Sequence, residues 1–290
     1  MWLELYFPLC DNISMNKEII ITKANGEKEV FYKEKLLTSL LRSGAQPDVA
    51  QKVVAHVEAE LKDGMSTSHI YRHAFEVLKK ESHPVAIKYS MKRAVLDLGP
   101  SGFPFEDFVA EIFKQLGYKA ETGKILKGKC VEHEVDVVAH NENKLIMVEA
   151  KFHNELGVKS DLKVALYVKA RFDDLKGASF FFGKERPLDE GWLVTNTKFS
   201  ATAIEYGKCQ NMKMIGWNYP EKGNLLNMIQ DAGLHPLTCL TTLTQTQKTE
   251  LLKKGIVLCK TLVENPETLT AIGLDNLAIG KIKEEITFLK

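Results

Sequence analysis

The sequence predicts a multidomain chain, α+β at its amino end, α/β in its centre and all-helical in its tail. A β-branched run, Ile19-Ile20-Ile21-Thr22, leads to Asn25-Gly26, the dipeptide that supplies positive φ at both central positions of a hairpin turn, and helical spacing then runs to about Leu98. Between Phe105 and Trp217 strand and helix patterns alternate, which points to helices on both faces of a small sheet. After Tyr219-Pro220 the pattern is helical again, and residues 239 to 290 read as a small α tail.

In the amino-terminal part, residues 18 to 32 read as two short strands around a turn. Leu36, Leu37, Leu40 and Leu41, then Val49, Val53, Val54 and Val57, then Ile70, Phe75 and Leu78, then Val85, Tyr89 and Val95 mark four amphipathic helices. Gln46-Pro47-Asp48 and the stretch from Asp63-Gly64 to Ser68 break them; Thr67 or Ser68 is the expected N-cap of the third helix, and Pro84 suits the first turn of the fourth. Gly99-Pro100-Ser101-Gly102-Phe103-Pro104 cannot extend either neighbour and marks a domain boundary. Beyond it the patterns predict a helix over Phe105 to Leu116, a basic loop, strands over Val131 to Val138 and Leu145 to Glu149, and a helix over Leu162 to Leu175. Strands over Trp192 to Thr195 and Met212 to Trp217 follow, with a helix over Ser200 to Tyr206 between them. The expected units are 18–98, 99–237 and 238–290.

With 290 residues, two domains of about 100 to 200 residues are the simplest expectation. The 39 basic and 38 acidic residues leave a net charge of +1, so nucleic-acid binding would need a local basic surface or a groove rather than overall charge. Cys10, Cys130, Cys209, Cys239 and Cys259 form no CxxC pair and are odd in number, which fits a reduced, cytoplasmic chain better than a disulfide or zinc framework. No run approaches the roughly 20 apolar residues of a membrane span. The opening MWLELYFPLCDNIS lacks the basic lead and cleavage site of a signal peptide, and Met15 looks the more natural start, so residues 1–17 are expected to be an upstream start choice or a disordered leader.

The densest chemistry lies on the first two central strands. Glu132, Glu134 and Asp136 precede a turn through His140 to Asn143, and Glu149 and Lys151 follow on the next strand. By alternation, Asp136 shares a face with Glu134 and Glu149 shares one with Lys151, while Val135, Val137, Ile146, Val148 and Ala150 supply the apolar side. Paired carboxylates suit a hard divalent cation, and a lysine beside them can stabilise phosphoryl charge or place an attacking water. Asp136, then twelve residues, then Glu149-Ala150-Lys151 resembles the PD-(D/E)xK restriction-endonuclease-like superfamily, most closely its Mrr-like branch. FPFEDFVAEIFKQLGY over 103–118 looks like that family's leading helix, and Val135 stands where the family has Pro. The resemblance implies a restriction-endonuclease-like core acting on DNA with Mg²⁺ or Mn²⁺. It implies Asp136 and Glu149 as metal ligands, Lys151 as the charge-stabilising or water-orienting group, and Glu106 as a second-sphere or second-metal carboxylate. Lys119, Lys124, Lys127 and Lys129 give the expected loop a local positive charge that suits DNA or merely solubilises it, and His153 and Asn154 are candidates to contact DNA or water, or to be solvated strand-end residues.

Residues 21–37, ITKANGEKEVFYKEKLL, with the helices that end near Lys88 to Arg93, resemble the ATP-cone, the nucleotide-sensing module of ribonucleotide reductases and of their transcriptional repressor. Matching positions are Lys23, Asn25-Gly26, Glu29, Phe31, Lys35, Thr67, Lys88, Lys92 and Arg93. Ala24-Asn25 replaces a frequent Arg-Asp, and Tyr71 stands where a histidine is common. The resemblance implies ATP or dATP as an allosteric ligand, its phosphates held by lysine and arginine. Neither GxxxxGK[ST] nor GxGxxG occurs, so a motor ATPase and a dinucleotide enzyme are unsupported. His69 and His73, four apart on a helix, would suit zinc, but no further ligand stands near them in sequence and surface histidines are expected.

In the tail, residues 269–274 and 277–282 are similar to the second half of a helix-hairpin-helix, whose glycine turn, here Gly273, followed by Lys281, aims N–H groups at a DNA phosphate. A plain helical hairpin packed on the central domain is the competing expectation. Together these readings give a cytoplasmic, Mg²⁺-dependent DNA endonuclease regulated by ATP or dATP without consuming it, with self-association left open. The alternative is a non-catalytic, nucleotide-sensing DNA-binding or regulatory protein on a degenerate nuclease fold.

Overall fold

The computed structural model describes residues 18–289, so the expected leader lies outside the described residues. β1 (Ile20–Thr22) and β2 (Lys28–Val30) form an antiparallel hairpin, but Asn25 and Gly26 are not its central pair: Gly26 N donates to the Lys23 carbonyl, so Ala24 and Asn25 are central, and only Gly26, which follows them, takes a positive φ, +83°. Four helices follow: α1 (Lys33–Arg42), α2 (Pro47–Glu60), α3 (Thr67–Glu81) and α4 (His83–Leu96). Ser66, not Thr67 or Ser68, caps α3: its backbone stays extended while its hydroxyl accepts from His69 N, and both expected caps lie inside the first turn. Ile21, Leu40, Val53, Ile70 and Leu78 form the core of this unit.

α4 turns apolar residues in several directions, with Lys88, Lys92 and Arg93 emerging between them. Ala86 packs into the amino-terminal core, Met91 and Val95 into the central core, and Ile87 and Ala94 into the core of the tail.

Next come α5 (Phe103–Gln115), β3 (Lys119–Lys127), β4 (Glu132–His140), β5 (Leu145–Lys151), the two-residue β6 (Lys159–Ser160) and α6 (Leu162–Lys176). A small hairpin, β7 (Ser179–Phe182) and β8 (Lys184–Pro187), precedes β9 (Glu190–Thr195), β10 (Lys198–Phe199), α7 (Ala201–Cys209) and β11 (Lys213–Ile215). The central sheet is mixed, in the order β11-β9-β5-β4-β3, with β5, β9 and β11 parallel to one another and β3 and β4 antiparallel. α5 and α8 (Leu225–Asp231) cover one face; α6 and α7 cover the other.

Two expectations for this sheet are corrected. The basic loop is instead the edge strand β3: its outward lysines disguise a strand, and charge of this kind is how exposed edges avoid pairing with other chains. The face assignment also fails at one residue. Val137, Ile146, Val148 and Ala150 pack together under α5, but Val135 joins Val138 and Met147 beneath α6. The β3–β4 register passes from Thr122↔Val137 to Lys124↔Val135 with Gly123 and Asp136 unpaired between them, and Gly123 takes φ +63°. Alternation therefore breaks at Asp136, and both sheet faces are covered rather than one being charged.

The tail holds a 3₁₀ turn (Leu237–Cys239), α9 (Gln245–Lys253), α10 (Cys259–Glu264), α11 (Glu267–Thr270) and α12 (Asn276–Thr287). Its core packs on Ile87 and Ala94 of α4, and Thr238 Oγ1 donates to the Ala94 carbonyl at 2.5 Å; the expected hairpin, with Ile279 and Ile282, belongs to this core rather than to that of the central unit, which the tail meets through Val257 and Leu258. Buried Glu285 binds the chain back on itself, accepting from the N–H and hydroxyl groups of Thr241 and Thr242 at 2.5–3.0 Å. The Cys239 and Cys259 sulfurs sit 3.8 Å apart in this core as free thiols.

Gly191 of β9 lets α6 approach the sheet: a Cβ there would lie 2.4 Å from Phe172 Cδ2. Gly191→Ala is expected to destabilise the protein by about 1–3 kcal/mol, as overpacking does. Thermal denaturation checks this, and an unchanged midpoint would contradict the packing.

Candidate active site

The last β4–β5 rung is Val137↔Val148, and Asp136 and Glu149 stand just beyond it on neighbouring strands. Asp136 is fixed by the backbone of β5: its Oδ2 accepts from Ala150 N at 2.7 Å. Lys151 ends β5 exposed, opposite Thr195 of β9. Glu106 comes from the first turn of α5 and is half-buried, close enough for its charge to oppose those of Asp136 and Glu149. The structure therefore brings Glu106, Asp136, Glu149 and Lys151 to one end of the sheet.

Arg171 of α6 belongs to the same place and was not foreseen. Its Nη1 donates to Glu149 Oε2 at 2.5 Å, its Nη2 donates to the Glu134 carbonyl, and its guanidinium lies 5.5 Å from the Tyr167 ring centroid. Arginine twenty-two positions downstream of its partner, on a different element, leaves no local spacing signal.

Burial and like charge act together here. Burial, followed by the Asp136 charge, pushes Glu149 up to about 7, with Arg171 and Lys151 pulling the other way. Burial, then Asp136 and the other nearby carboxylates, pushes Glu106 up to about 7. Asp136 is also raised, by burial first, against the Ala150 N–H and Arg171, which lower it. Such a set of carboxylates gains from a divalent cation, and its oxygens are the donors a hard cation takes. Among the described residues the three groups are not gathered within 4.8 Å as one trio, and the fit rests on Asp136 and Glu149, which stand on neighbouring strands, while Glu106 comes from α5.

A latch holds the chain beyond Lys151. Asn196 accepts from His153 N at 2.9 Å and donates to the His153 carbonyl at 2.8 Å. His153 Nε2 meets Ser160 Oγ at 3.0 Å, and buried Ser160 donates to Thr195 Oγ1 at 3.2 Å. His153 is thus turned into the protein, whereas Asn154 is exposed.

The remaining candidates are dispersed. On β3, Lys124 pairs with Glu121 at 2.5 Å and Lys127 donates to the Cys130 carbonyl at 3.1 Å; Lys129 lies exposed in the following turn. Asp174 pins that turn to α6, accepting from Cys130 N, Val131 N and His133 Nε2, and these bonds hold its carboxyl far below the usual range. In the tail Gly273 takes φ +81°, but at the start of α12 Asp275 caps the helix, accepting from Ala278 N at 2.8 Å, which places a carboxylate where a phosphate was expected; Lys281 lies exposed on α12.

Lys23, Asn25, Glu29, Lys35 and Lys92 line one cavity of about 680 Å³, closed from the central unit by Gly157, Lys159, Asn196 and Lys198. Lys88 lines an adjoining cavity of about 590 Å³ with Lys35, Lys92 and Lys198. Glu29 accepts from Lys35 at 3.0 Å and lies 3.4 Å from Lys23, and these bonds lower its carboxyl, the Lys35 bond most. Arg93 faces a separate cavity beside Tyr71 and Asp97, and Thr67, inside the first turn of α3, lines none of these three.

The raised glutamates give a signed pH dependence. Between the ordinary glutamate value of 4.5 and about 7, folded Glu106 keeps a proton that the unfolded chain releases, so unfolding free energy falls as pH rises through this window and levels off above it. Glu106→Gln is expected to flatten part of that fall and to be more stable than the parent at pH 8 without divalent metal. Urea denaturation at pH 5 and pH 8 decides, and parallel pH profiles for the two proteins would contradict it.

A family model described as Restriction endonuclease matches residues 100–218, and one described as AF1548-like, C-terminal, matches residues 235–289. An uncharacterized protein of Archaeoglobus fulgidus is 37% identical over 167 residues, which cover 57% of this chain and 90% of that protein. The crystal structure of AF1548, a protein of unknown function, aligns with a TM-score of 0.52 at 34% identity, over 65% of this chain and 96% of that one. MspJI restriction endonuclease, solved with a 27-mer oligonucleotide, gives a TM-score of 0.34 at 14% identity over 59% of this chain and 36% of its own, a likeness too slight to bear on function. The chain belongs to the AF1548-like family and carries a restriction endonuclease domain across residues 100–218.

Proposed function

We propose that this protein is a divalent-cation-dependent DNA endonuclease whose amino-terminal unit binds ATP or dATP as a regulator. The observation that carries the first half is the pair of half-buried carboxylates, Asp136 and Glu149, side by side at the sheet end with Lys151 exposed beside them, within a restriction endonuclease domain. Asp136 and Glu149 would hold Mg²⁺ or Mn²⁺, which when bound supplies Lewis-acid polarisation of the phosphodiester and a more acidic water. The Ala150 N–H orients Asp136 for this role. Arg171 opposes the burial that raises Glu149 and aims its carboxylate into the site, while the ammonium of Lys151, free to meet substrate at the surface, offsets charge that develops on the phosphoryl oxygens. Glu106, with its carboxyl near 7, can take or give a proton at neutral pH.

For the second half, the support is the cavity of about 680 Å³, which is large enough for a nucleotide and lined by Lys23, Lys35, Lys92, Lys159 and Lys198. Lys92 is half-buried, with no ion pair among the described residues, and burial followed by the Lys198 charge lowers its ammonium. Phosphate oxygens would relieve both. Asn196 lines the same cavity and clamps the His153 backbone two residues past Lys151, which gives an occupied cavity a physical connection to the site.

Incubation of plasmid and modified DNAs with Mg²⁺ or Mn²⁺, with and without ATP or dATP, tests the nuclease. Glu149→Ala and Lys151→Ala are each expected to lower cleavage by about 100-fold or more. Absence of cleavage in every condition would favour the non-catalytic DNA-binding or regulatory alternative. Calorimetry with ATP should show binding that Lys92→Ala weakens, whereas equal binding by both proteins, or none by either, removes the nucleotide role.

A further inference from the structure

On the amino-terminal unit, α2 and α3 bring three metal-ligating side chains together. His56 and Glu60 lie one turn apart on α2, and His73 faces them from α3; their ligand atoms all fall within 4.8 Å of one another. We propose that His56, Glu60 and His73 form a binding site for a borderline divalent transition metal, Zn²⁺ in the first instance, with water in the remaining position.

The spacing suits that ion. Glu60 Oε1 lies 3.8 Å from His56 Nε2, and Glu60 Oε2 lies 3.5 Å from His73 Nε2. Tetrahedral zinc with bonds of about 2.0–2.1 Å sets its ligand atoms roughly 3.4 Å apart, so the separations fit; the two imidazoles stack with their planes 11° apart and centroids 5.0 Å apart, and ligation turns them so that both nitrogen lone pairs face the ion. Without an ion the same separations are too long for good hydrogen bonds, and His73 Nε2 is buried with no hydrogen-bond partner, which folded proteins seldom tolerate.

The helix ends argue the same way independently. Glu60 is the last residue of α2, where the helix dipole disfavours negative charge, and no basic residue lies in that last turn. A dication there offsets both the carboxylate and the dipole. Two imidazoles and one carboxylate select a zinc-like ion over Mg²⁺, which takes oxygen, so this site differs in kind from the carboxylate site of the central sheet. His56 and Glu60 are more than half exposed, at 52% and 59%, which leaves entry from solvent open, and ligation would staple α2 to α3. The sequence set His73 beside His69 and expected both as surface histidines; His69 is exposed, but His73 turns its Nε2 inward, and its partner is His56, seventeen residues upstream.

Co²⁺, a spectroscopic stand-in for Zn²⁺, tests the site on the full chain. Titration is expected to give the intense visible absorption of tetrahedral cobalt at one equivalent, displaced by Zn²⁺. His73→Ala and His56→Ala should each abolish it, while Asp136→Asn should leave it unchanged. His56 is exposed enough that its substitution should not unfold the helices, and circular dichroism verifies that for both variants. No tetrahedral band, a band that survives both histidine substitutions in folded protein, or one lost with Asp136→Asn would overturn the proposal.

Discussion

Helix α4 is the constraint on which the arrangement of the molecule rests. A helix with one apolar stripe belongs to one core, but α4 gives Ala86 to the first unit, Met91 and Val95 to the second and Ile87 and Ala94 to the third. Three cores built on one helix cannot move independently without exposing apolar surface. Its polar residues can emerge only in the gaps between units. That is why Lys88 and Lys92 line the two cavities between the hairpin unit and the central unit, while Arg93 faces the cavity beside Thr238 of the tail.

At the sheet end a different balance holds. Packing against α5 and α6 brings carboxylates out of water, and their mutual repulsion raises Glu106 and Glu149 toward neutrality. Arg171 supplies one compensating charge, and it comes from α6, whose approach to the sheet depends on Gly191. Break of alternation at Asp136, opposite Gly123, leaves that carboxylate outside the paired ladder and free to serve a site. Fold and chemistry therefore meet in two glycines and one arginine.

Much of this was legible in the chain. Asn25-Gly26 marked the hairpin, the leucine and valine spacing marked α1 to α4, and Asp136 with Glu149-Ala150-Lys151 marked the strands that meet at the sheet end. What was hidden depended on tertiary neighbours. β3 read as a loop because its lysines and Gly123 mask a strand that only the β4 ladder makes visible. β7 and β8 were missed because Phe181 points to solvent and buried Arg186 bonds the carbonyls of Asn141 and Glu142, a pattern opposite to the usual one. Arg171 and the pairing of His56 with His73 join different elements, and no local period encodes such meetings.

Binding of Mn²⁺ to the full chain, counted by electron paramagnetic resonance at pH 6 and pH 8, tests most directly whether the raised carboxylates form a metal centre. Binding should tighten as pH rises through about 7, as Glu149 and Glu106 release protons, and Asp136→Asn should remove the site. Binding independent of pH, or intact in Asp136→Asn, would contradict a metal centre built on these carboxylates.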